Sequence, residues 1–340
     1  MRPLTLDRNR ILAYRRRATA LDERRPPGAR SLRRAAWAGL QDSVPRAALL
    51  SMHARVGGVR PTTWEAPSLV QVWGPRFNAY VVPRRDLAVF TLGRLPDEPG
   101  PRQRAIDISQ RLIDTLAGER LDFGTAARRM REPSPNRLRY AAVTGTVAMR
   151  WDGARQPVIW TLPQPEVDPT EARLELARRY LHVFGVGTSA SFAAWAGVHP
   201  AAAAAAFTAL RAELLPVTTP IGSASMRRED EPAMRAAPGD PARARLLPSG
   251  DTWFLLQGDE RTLLVPDARW RRALWPSRVW PGALLVDGET SGTWRRASHV
   301  LTLQPWRRLS RPQREAVEAE AASLPLPDLT RPLDIRWDPH

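Results

Sequence analysis

The strongest constraint in this chain is a repeated order, in which helical runs are followed by two β-like runs joined by a tight turn. The clearest case is Val147 to Trp151, then Asp152-Gly153, then Pro157 to Thr161. An Asp-Gly pair between alternating apolar runs is a strong hairpin signal. Ahead of it, Arg102 to Leu116 has helical spacing, Asp122 is placed to cap a short helix through Met130, and Arg137 to Val143 reads as a further helix after the turn 133–136. Helices closed by a hairpin in this order describe a winged helix.

The N-terminal part follows the same plan. Arg8 to Leu21 is helical by spacing, Ser31 is placed to cap a second helix through Leu40, and Pro45 sits where a third begins and runs through Met52 to Gly57-Gly58. Leu69 to Trp73 and Phe77 to Val82 then read as strands around Gly74-Pro75-Arg76, and 83–91 as a short helix. A third copy opens with Thr170 to Phe184, a helix capped by Thr188 or Ser189 through Ala196, and a helix from Pro200 to Leu215. The Ala201 to Ala206 run in it reads as core, because alanine offers close packing and no hydrogen bonds to bases. No wing is recognisable after this copy, and the Pro-, Gly- and Arg-rich stretch 223–245 reads as a mobile loop.

Beyond 246 the pattern changes to short strands: Trp253 to Leu256, Thr262 to Val265, Ala283 to Val286, Thr293 to Arg296 and Val300 to Leu303, with a final helix from Ser310 to Leu324. The expected fold class is therefore α+β, with three tandem winged-helix units at 1–98, 99–165 and 166–245 and a small β-rich unit at 246–340.

Charge bears on the partner. The chain has 51 basic residues, all arginine, against 35 acidic ones, for a net +16. The lack of lysine fits codon bias in a GC-rich genome, but the charge acts regardless of its origin. Arginine forks suit phosphate oxygens, and the excess favours a polyanion. No run is long and apolar enough to span a bilayer, and no basic amphipathic stretch adjoins one, so nucleic acid in the cytoplasm, associated with the nucleoid, is the expected partner. Zero cysteine excludes thiolate nucleophiles, disulfides and zinc–thiolate fingers. Zero lysine excludes a lysine Schiff base, and the five histidines show no ligand spacing, so neither metal nor cofactor is expected. Double-stranded DNA, damaged, is the expected substrate of a monomer with no protein partner.

Within this basic chain, Gln41-Asp42-Ser43 stands out as an uncharged and acidic insert between two apolar helical runs. Two roles suit it. A carboxylate or hydroxyl before the 45–55 helix caps free amides and faces the positive end of its dipole. Alternatively, Gln41 orients a water and Asp42 stabilises positive charge developing in a substrate. Arg46, Arg76, Arg137, Arg139 and Arg150 are the candidate backbone-binding arginines, and Trp73, Phe77 and Tyr80 are candidates either to stack on an exposed base or to fill the hairpin core. Dense arginine without evident base readers favours an enzyme or architectural protein over a sequence-specific regulator.

The stretch Gly39 to Ala47, the stretch Trp73 to Pro83, the pieces Ala177-Arg178-Arg179-Tyr180-Leu181 and Phe192 to Gly197, and the C-terminal Trp275-Pro276, Val286-Asp287-Gly288 and Gly292 to Arg295 resemble the bacterial AlkZ-like (YcaQ-like) winged-helix DNA glycosylases. The likeness runs over nearly the whole chain. It implies tandem winged helices around a concave basic surface, and excision of cationic N-alkylated purines without metal or cofactor. The family's catalytic pattern is Gln, one residue, then Gln or Asp. Gln41 matches its first position, Ser43 occupies its second, and Asp42 lies between; Tyr80 stands where many members carry His. The Ser43 departure keeps open a second expectation, a non-catalytic DNA-binding regulator or damage-binding factor on the same scaffold.

Overall fold

The computed structural model describes residues 4–44, 46–153, 156–327 and 329–338. Pro45, expected to open a helix, and His340 lie outside them. The chain starts with β1 (Leu4–Thr5) and α1 (Arg8–Ala18), whose N-terminal amides are capped by Asp7 through Arg10 N. α2 (Ala29–Ala35) starts at Gly28, so Ser31 lies inside the helix and does not cap it. The helix also stops short of Leu40. Gly39 adopts φ +75°, and a Cβ there would fall 2.9 Å from the Tyr80 ring, so glycine turns the chain and Leu40–Gln41 becomes strand β2. α3 (Ala47–Arg55) follows, entered through Arg46 in the left-handed region at φ 63°.

Both expected hairpins form. β3 (Leu69–Trp73) pairs antiparallel with β4 (Ala79–Pro83), and a short helix, α4 (Leu87–Phe90), follows. After α5 (Pro99–Leu116), β5 (Leu121–Asp122) and α6 (Phe123–Arg129), the segment Pro135–Thr144 forms a 3-10 helix. Asp122 caps α6 by accepting from Thr125 N. β6 (Val147–Arg150) and β7 (Val158–Thr161) make the second hairpin. The two hairpins are not separate: Gln71 pairs with Met149, giving one six-stranded sheet in the order β2-β4-β3-β6-β7-β5.

α7 (Pro169–Phe184) and α8 (Ser189–Ala196) form as expected, with Thr188 capping α8 and Gly197 ending it, but α9 (Pro200–Ala209) stops short of the expected Leu215, because Leu214–Thr219 is drawn into a strand. The alanine run buries Ala202, Ala203 and Ala206, Phe207 packs partly against the same core, and Ala201, Ala204 and Ala205 stay exposed, so the run is core on one face only. Most of the expected loop is instead regular structure, only 236–243 being irregular. β8 (Leu214–Thr219) and β9 (Gly222–Arg227) form a hairpin that β1 extends, and α10 (Glu231–Arg235) follows. The alternating Leu215, Val217 and Met226 bury one face of this hairpin against Ile11 and Tyr14 of α1, enough to order a stretch whose composition alone suggests a loop.

The C-terminal part is β10 (Ala244–Leu247), α11 (Glu260–Leu264), α12 (Ala268–Leu274), β11 (Gly282–Val286), β12 (Glu289–Ala297), β13 (Val300–Pro305), α13 (Arg311–Ala322) and β14 (Asp334–Trp337), with the strands in one five-stranded sheet. Two expected strands fail. Residues 253–256 are irregular and fully buried, and 262–265 are mostly α11. Short runs buried on all sides carry no period that separates strand from helix. Among the described residues, no helix is long and apolar enough to cross a membrane.

The 250–253 segment is pinned to α3 by a buried ion pair. Arg55 donates to Asp251 at 2.7 Å through both Nη atoms and to Thr252 Oγ1 at 3.1 Å, while Ser51 Oγ donates to Asp251 at 2.6 Å. Both ionic side chains are at most 1% exposed. Asp251→Ala leaves a buried guanidinium unpaired and is expected to cost about 3–5 kcal/mol. Chemical denaturation checks this, and the Arg55→Met/Asp251→Ala double variant should lose less than the two single changes combined.

Candidate active site

Alternation along the chain decides which way the polar insert faces. Gln41 pairs with Tyr80 across β2 and β4, and the Asp42 amide donates to Ala79 O at 2.7 Å, continuing the ladder. Successive side chains therefore point to opposite sides. Asp42 goes inward and is 2% exposed, whereas Gln41 and Ser43 are half-buried.

Asp42 is saturated by protein donors. Its Oδ1 accepts from Ala48 N at 2.9 Å at the start of α3, and its Oδ2 accepts from Gln71 Nε2 at 2.7 Å. Gln71 in turn accepts from Trp151 N through Oε1 at 2.6 Å, so Asp42 and Gln71 together tie α3, the first hairpin and the second. Burial pushes the Asp42 carboxyl up to about 6, against the opposing pull of the Ala48 amide, the Arg46 charge and Gln71. The expected pairing of Gln41 and Asp42 on one open face does not occur: the carboxylate caps α3 and the Gln41 carboxamide stands apart from it.

Gln41 is held from two sides. Tyr80 Oη donates to its Oε1 at 3.4 Å, and Gly250, at φ +77°, lies so close that a Cβ there would sit 3.1 Å from the carboxamide. Tyr80 is fully buried, which pushes its phenol upward and removes it as a base-stacking residue; it packs under Gln41. Ser43 Oγ donates to Asn78 Oδ1 at 3.2 Å and lines a cleft of ≈ 240 Å³ between the two hairpins, together with Trp73, Phe77, Arg139 and Trp151. Burial lowers the Arg139 guanidinium, whose Nε has no hydrogen-bond partner.

The other arginines divide. Arg46 and Arg150 converge on Trp64, at 4.0 and 5.0 Å from its ring, and Arg150 is also paired with Glu65. Arg76 lies against the end of α8, where a Cβ on Gly197 would meet its backbone. Arg137 is committed to Glu132 at 3.0 Å. Sequence reasoning missed Gln71, Trp64, Asn78 and Gly250. Only Gln71 left a signal, as an amide in the middle of the apolar strand Leu69–Trp73.

Hairpins joined edge to edge beside a neutral Gln–Ser face, with guanidinium groups around them, suit a protein that handles DNA. Residues 34–325 match the family described as "DNA glycosylase AlkZ-like", and the chain belongs to that family of DNA glycosylases. Among solved structures it is similar to Streptomyces sahachiroi DNA glycosylase AlkZ, with a TM-score of 0.79 over 98% of this chain and 100% of that one. The sequences are 18% identical, so that likeness is one of fold. No curated protein sequence matches.

The raised Asp42 carboxyl has a definite sign in stability. Its ordinary value is 3.8 and its folded value about 6, so the folded state binds the proton more tightly and gains stability as pH falls through 6. Between pH 7 and 5 the gain should be about 1 kcal/mol. The difference in melting temperature between the protein and Asp42→Asn should widen over that interval; a constant difference would show that Asp42 does not titrate there.

Proposed function

We propose that this chain is a monofunctional DNA glycosylase that hydrolyses the N-glycosidic bond of cationic N-alkylated purines in double-stranded DNA. The observation that carries the proposal is the half-buried Gln41 carboxamide, fixed by Tyr80 and Gly250 at the first position of the family's catalytic pattern. Gln41 orients the attacking water through its amide dipole. The water oxygen bonds to the anomeric carbon, the carbon–nitrogen bond breaks with its electron pair passing to the purine, and the water's proton is released to solvent. An alkylated purine leaves as a neutral base, so no acid is required. Ser43 contributes a second hydrogen bond to the water or sugar, and Asp42 is a positioning residue that holds the two outward-facing groups in place.

Winged-helix units at 1–98, 99–165 and 166–245 present this face to the duplex in our reading, with the 246–340 unit behind it. Arg46, Arg76, Arg139 and Arg150 bind phosphates, with Arg137 contributing where Glu132 releases it. The Trp73, Phe77 and Trp151 walls of the Ser43 cleft offer an apolar site for an alkylated base. The alternative, a DNA-binding protein without catalysis, draws on one observation: Asp42 is buried, so the outward groups at 41 and 43 are both uncharged.

Incubation with duplex bearing alkylated purines, followed by alkaline cleavage of abasic sites, separates the two. Gln41→Ala should lower the single-turnover rate by roughly a hundredfold with duplex affinity unchanged. Ser43→Gln, which restores the family pattern, should raise it. Strand breaks no more frequent than with Gln41→Ala would leave the non-catalytic alternative. For DNA binding, Arg46→Ala should weaken affinity evenly across sequences and reduce the log–log salt slope by about 1, read by fluorescence anisotropy from low to moderate salt.

A further inference from the structure

The register that turns Gln41 and Ser43 outward brings a third polar residue to their face. Gln41 lies opposite Tyr80, and the Asp42 amide donates to Ala79 O, so continuing the same ladder puts Ser43 opposite Asn78. Directly opposed residues of an antiparallel pair share a face, as do residues two apart along a strand. Gln41, Ser43, Asn78 and Tyr80 therefore form one patch, within which Tyr80 Oη donates to Gln41 and Ser43 Oγ donates to Asn78. The family's catalytic pattern carries an amide or a carboxylate at its second position. This chain has a hydroxyl there, and a carboxamide immediately across from it on the neighbouring strand.

Asn78 is fixed, and only one end of its amide is engaged. In the turn before β4, Asn78 N donates to Pro75 O at 3.1 Å and Gly74 N donates to Asn78 O at 2.8 Å. Arg76 and Phe77, the central residues of that turn, both lie in the left-handed region, at φ 55° and 56°. Two consecutive side-chain-bearing residues are costly there, and such strain persists only where the surroundings impose it. The Asn78 Oδ1 accepts from Ser43, which leaves Nδ2 at the other corner of the amide uncommitted. Among the described residues that Nδ2 donates to nothing. Asn78 is half-buried on the wall of the ≈ 240 Å³ cleft, and its Nδ2 is not sealed beneath the surface as the unpartnered Arg139 Nε is. Ser43 Oγ, with its proton committed to Asn78, faces the site as an acceptor for the water.

On the reading of this face as an excision site, we infer that Asn78 is a further catalytic residue, one that contacts the departing base: its Nδ2 donates a hydrogen bond to a ring acceptor of the purine in the cleft. No proton is transferred. Alkylation draws electron density out of the ring, so the cationic purine is a poor acceptor. As the glycosidic carbon–nitrogen bond breaks, its electron pair returns to the ring and the acceptor strengthens. The Asn78 bond is consequently stronger in the transition state than in the ground state, which is the condition for it to accelerate cleavage. Gln41 and Ser43 act on the water, and Asn78 acts on the leaving group.

Two measurements test this. In single-turnover excision from duplex bearing alkylated purines, Asn78→Leu should slow the reaction roughly tenfold with duplex affinity and melting temperature unchanged, and the same factor should be lost when Asn78→Leu is added to Ser43→Ala. An unchanged rate, or an effect that vanishes in the Ser43→Ala background and so reports only the orientation of Ser43, would overturn the proposal. The second measurement needs no catalysis: neutral 3-methyladenine, a product base, is titrated against the full chain by ligand-observed NMR. Asn78→Leu and Asn78→Asp should each weaken its binding roughly tenfold. Asn78→Asp keeps the acceptor for Ser43 and removes the donor, so it decides the matter where the leucine variant fails to fold. No binding by the parent chain, or equal binding by parent and variants, overturns the assignment whatever the excision rate. A parent chain that binds the base through Asn78 and excises nothing sinks the excision reading alone.

Discussion

The Asp42 carboxylate is the point on which the arrangement depends. It accepts from the first turn of α3 on one oxygen and from Gln71 on the other, and Gln71 carries the connection to the Trp151 backbone in the second hairpin. Two buried side chains in series thus join α3 to both hairpins. Because side chains alternate, committing Asp42 inward commits Gln41 and Ser43 outward. A helix cap and the scaffold of the proposed site are thus the same interaction: the cap sets the orientation of the residues on either side of it. The cost is a desolvated carboxylate, which is why burial outweighs its hydrogen bonds in raising its proton affinity.

Arginine serves two purposes in this chain, and only one of them concerns DNA. Among the described residues six arginines, Arg15, Arg16, Arg55, Arg94, Arg173 and Arg179, are buried. They act mainly as clamps on main-chain oxygens: Arg94 donates to Ala196 O at 3.0 Å and Trp73 O at 3.1 Å, and Arg173 to Gly93 O at 3.2 Å and Leu95 O at 2.5 Å. A planar fork with several fixed donors satisfies irregular loop carbonyls that no strand or helix partner reaches. A net charge of +16 consequently overstates the field a duplex would meet, since these groups contribute packing between units more than surface potential.

The same distinction explains what was legible in the sequence. Leu69–Trp73, the Asp122 and Ser310 caps, the Thr188 start and the Gly197 stop were all readable, because each depends on neighbours a few residues away. The failures are at places decided by distant contacts. Residues 223–227 are a strand because they pair with β8 and α1 covers the hairpin, and the irregular 253–256 segment starts at Trp253, whose carbonyl is held by Arg15 and whose amide donates to the Arg55-paired Asp251. At the site, Gln41, Ser43 and the capping role of Asp42 could be read from the local pattern, since Ala48 is six residues on, but its second partner, Gln71, is 29 residues away. The Gly250 contact that braces Gln41 is further still, and it exists only because the Arg55–Asp251 pair fixes that loop.

With Asp42 turned inward, the groups left at positions 41 and 43 are a carboxamide and a hydroxyl. Neutral dipoles can order a water and favour a developing cation, but neither can protonate a departing base at neutral pH. A purine that departs unassisted is one whose charge is already in place, as alkylation at a ring nitrogen provides. Under the proposed reaction, substrate selection therefore begins with what the site lacks in acid strength, before any contact to the alkyl group is considered. The Ser43 cleft adds the second restriction, since its walls of Trp73, Phe77 and Trp151 admit an apolar, aromatic body beside the half-buried Arg139 guanidinium. A cationic base entering such a cleft would be repelled by Arg139 until glycosidic cleavage makes it neutral, so the cleft favours the product side of the bond being broken more than the ground state.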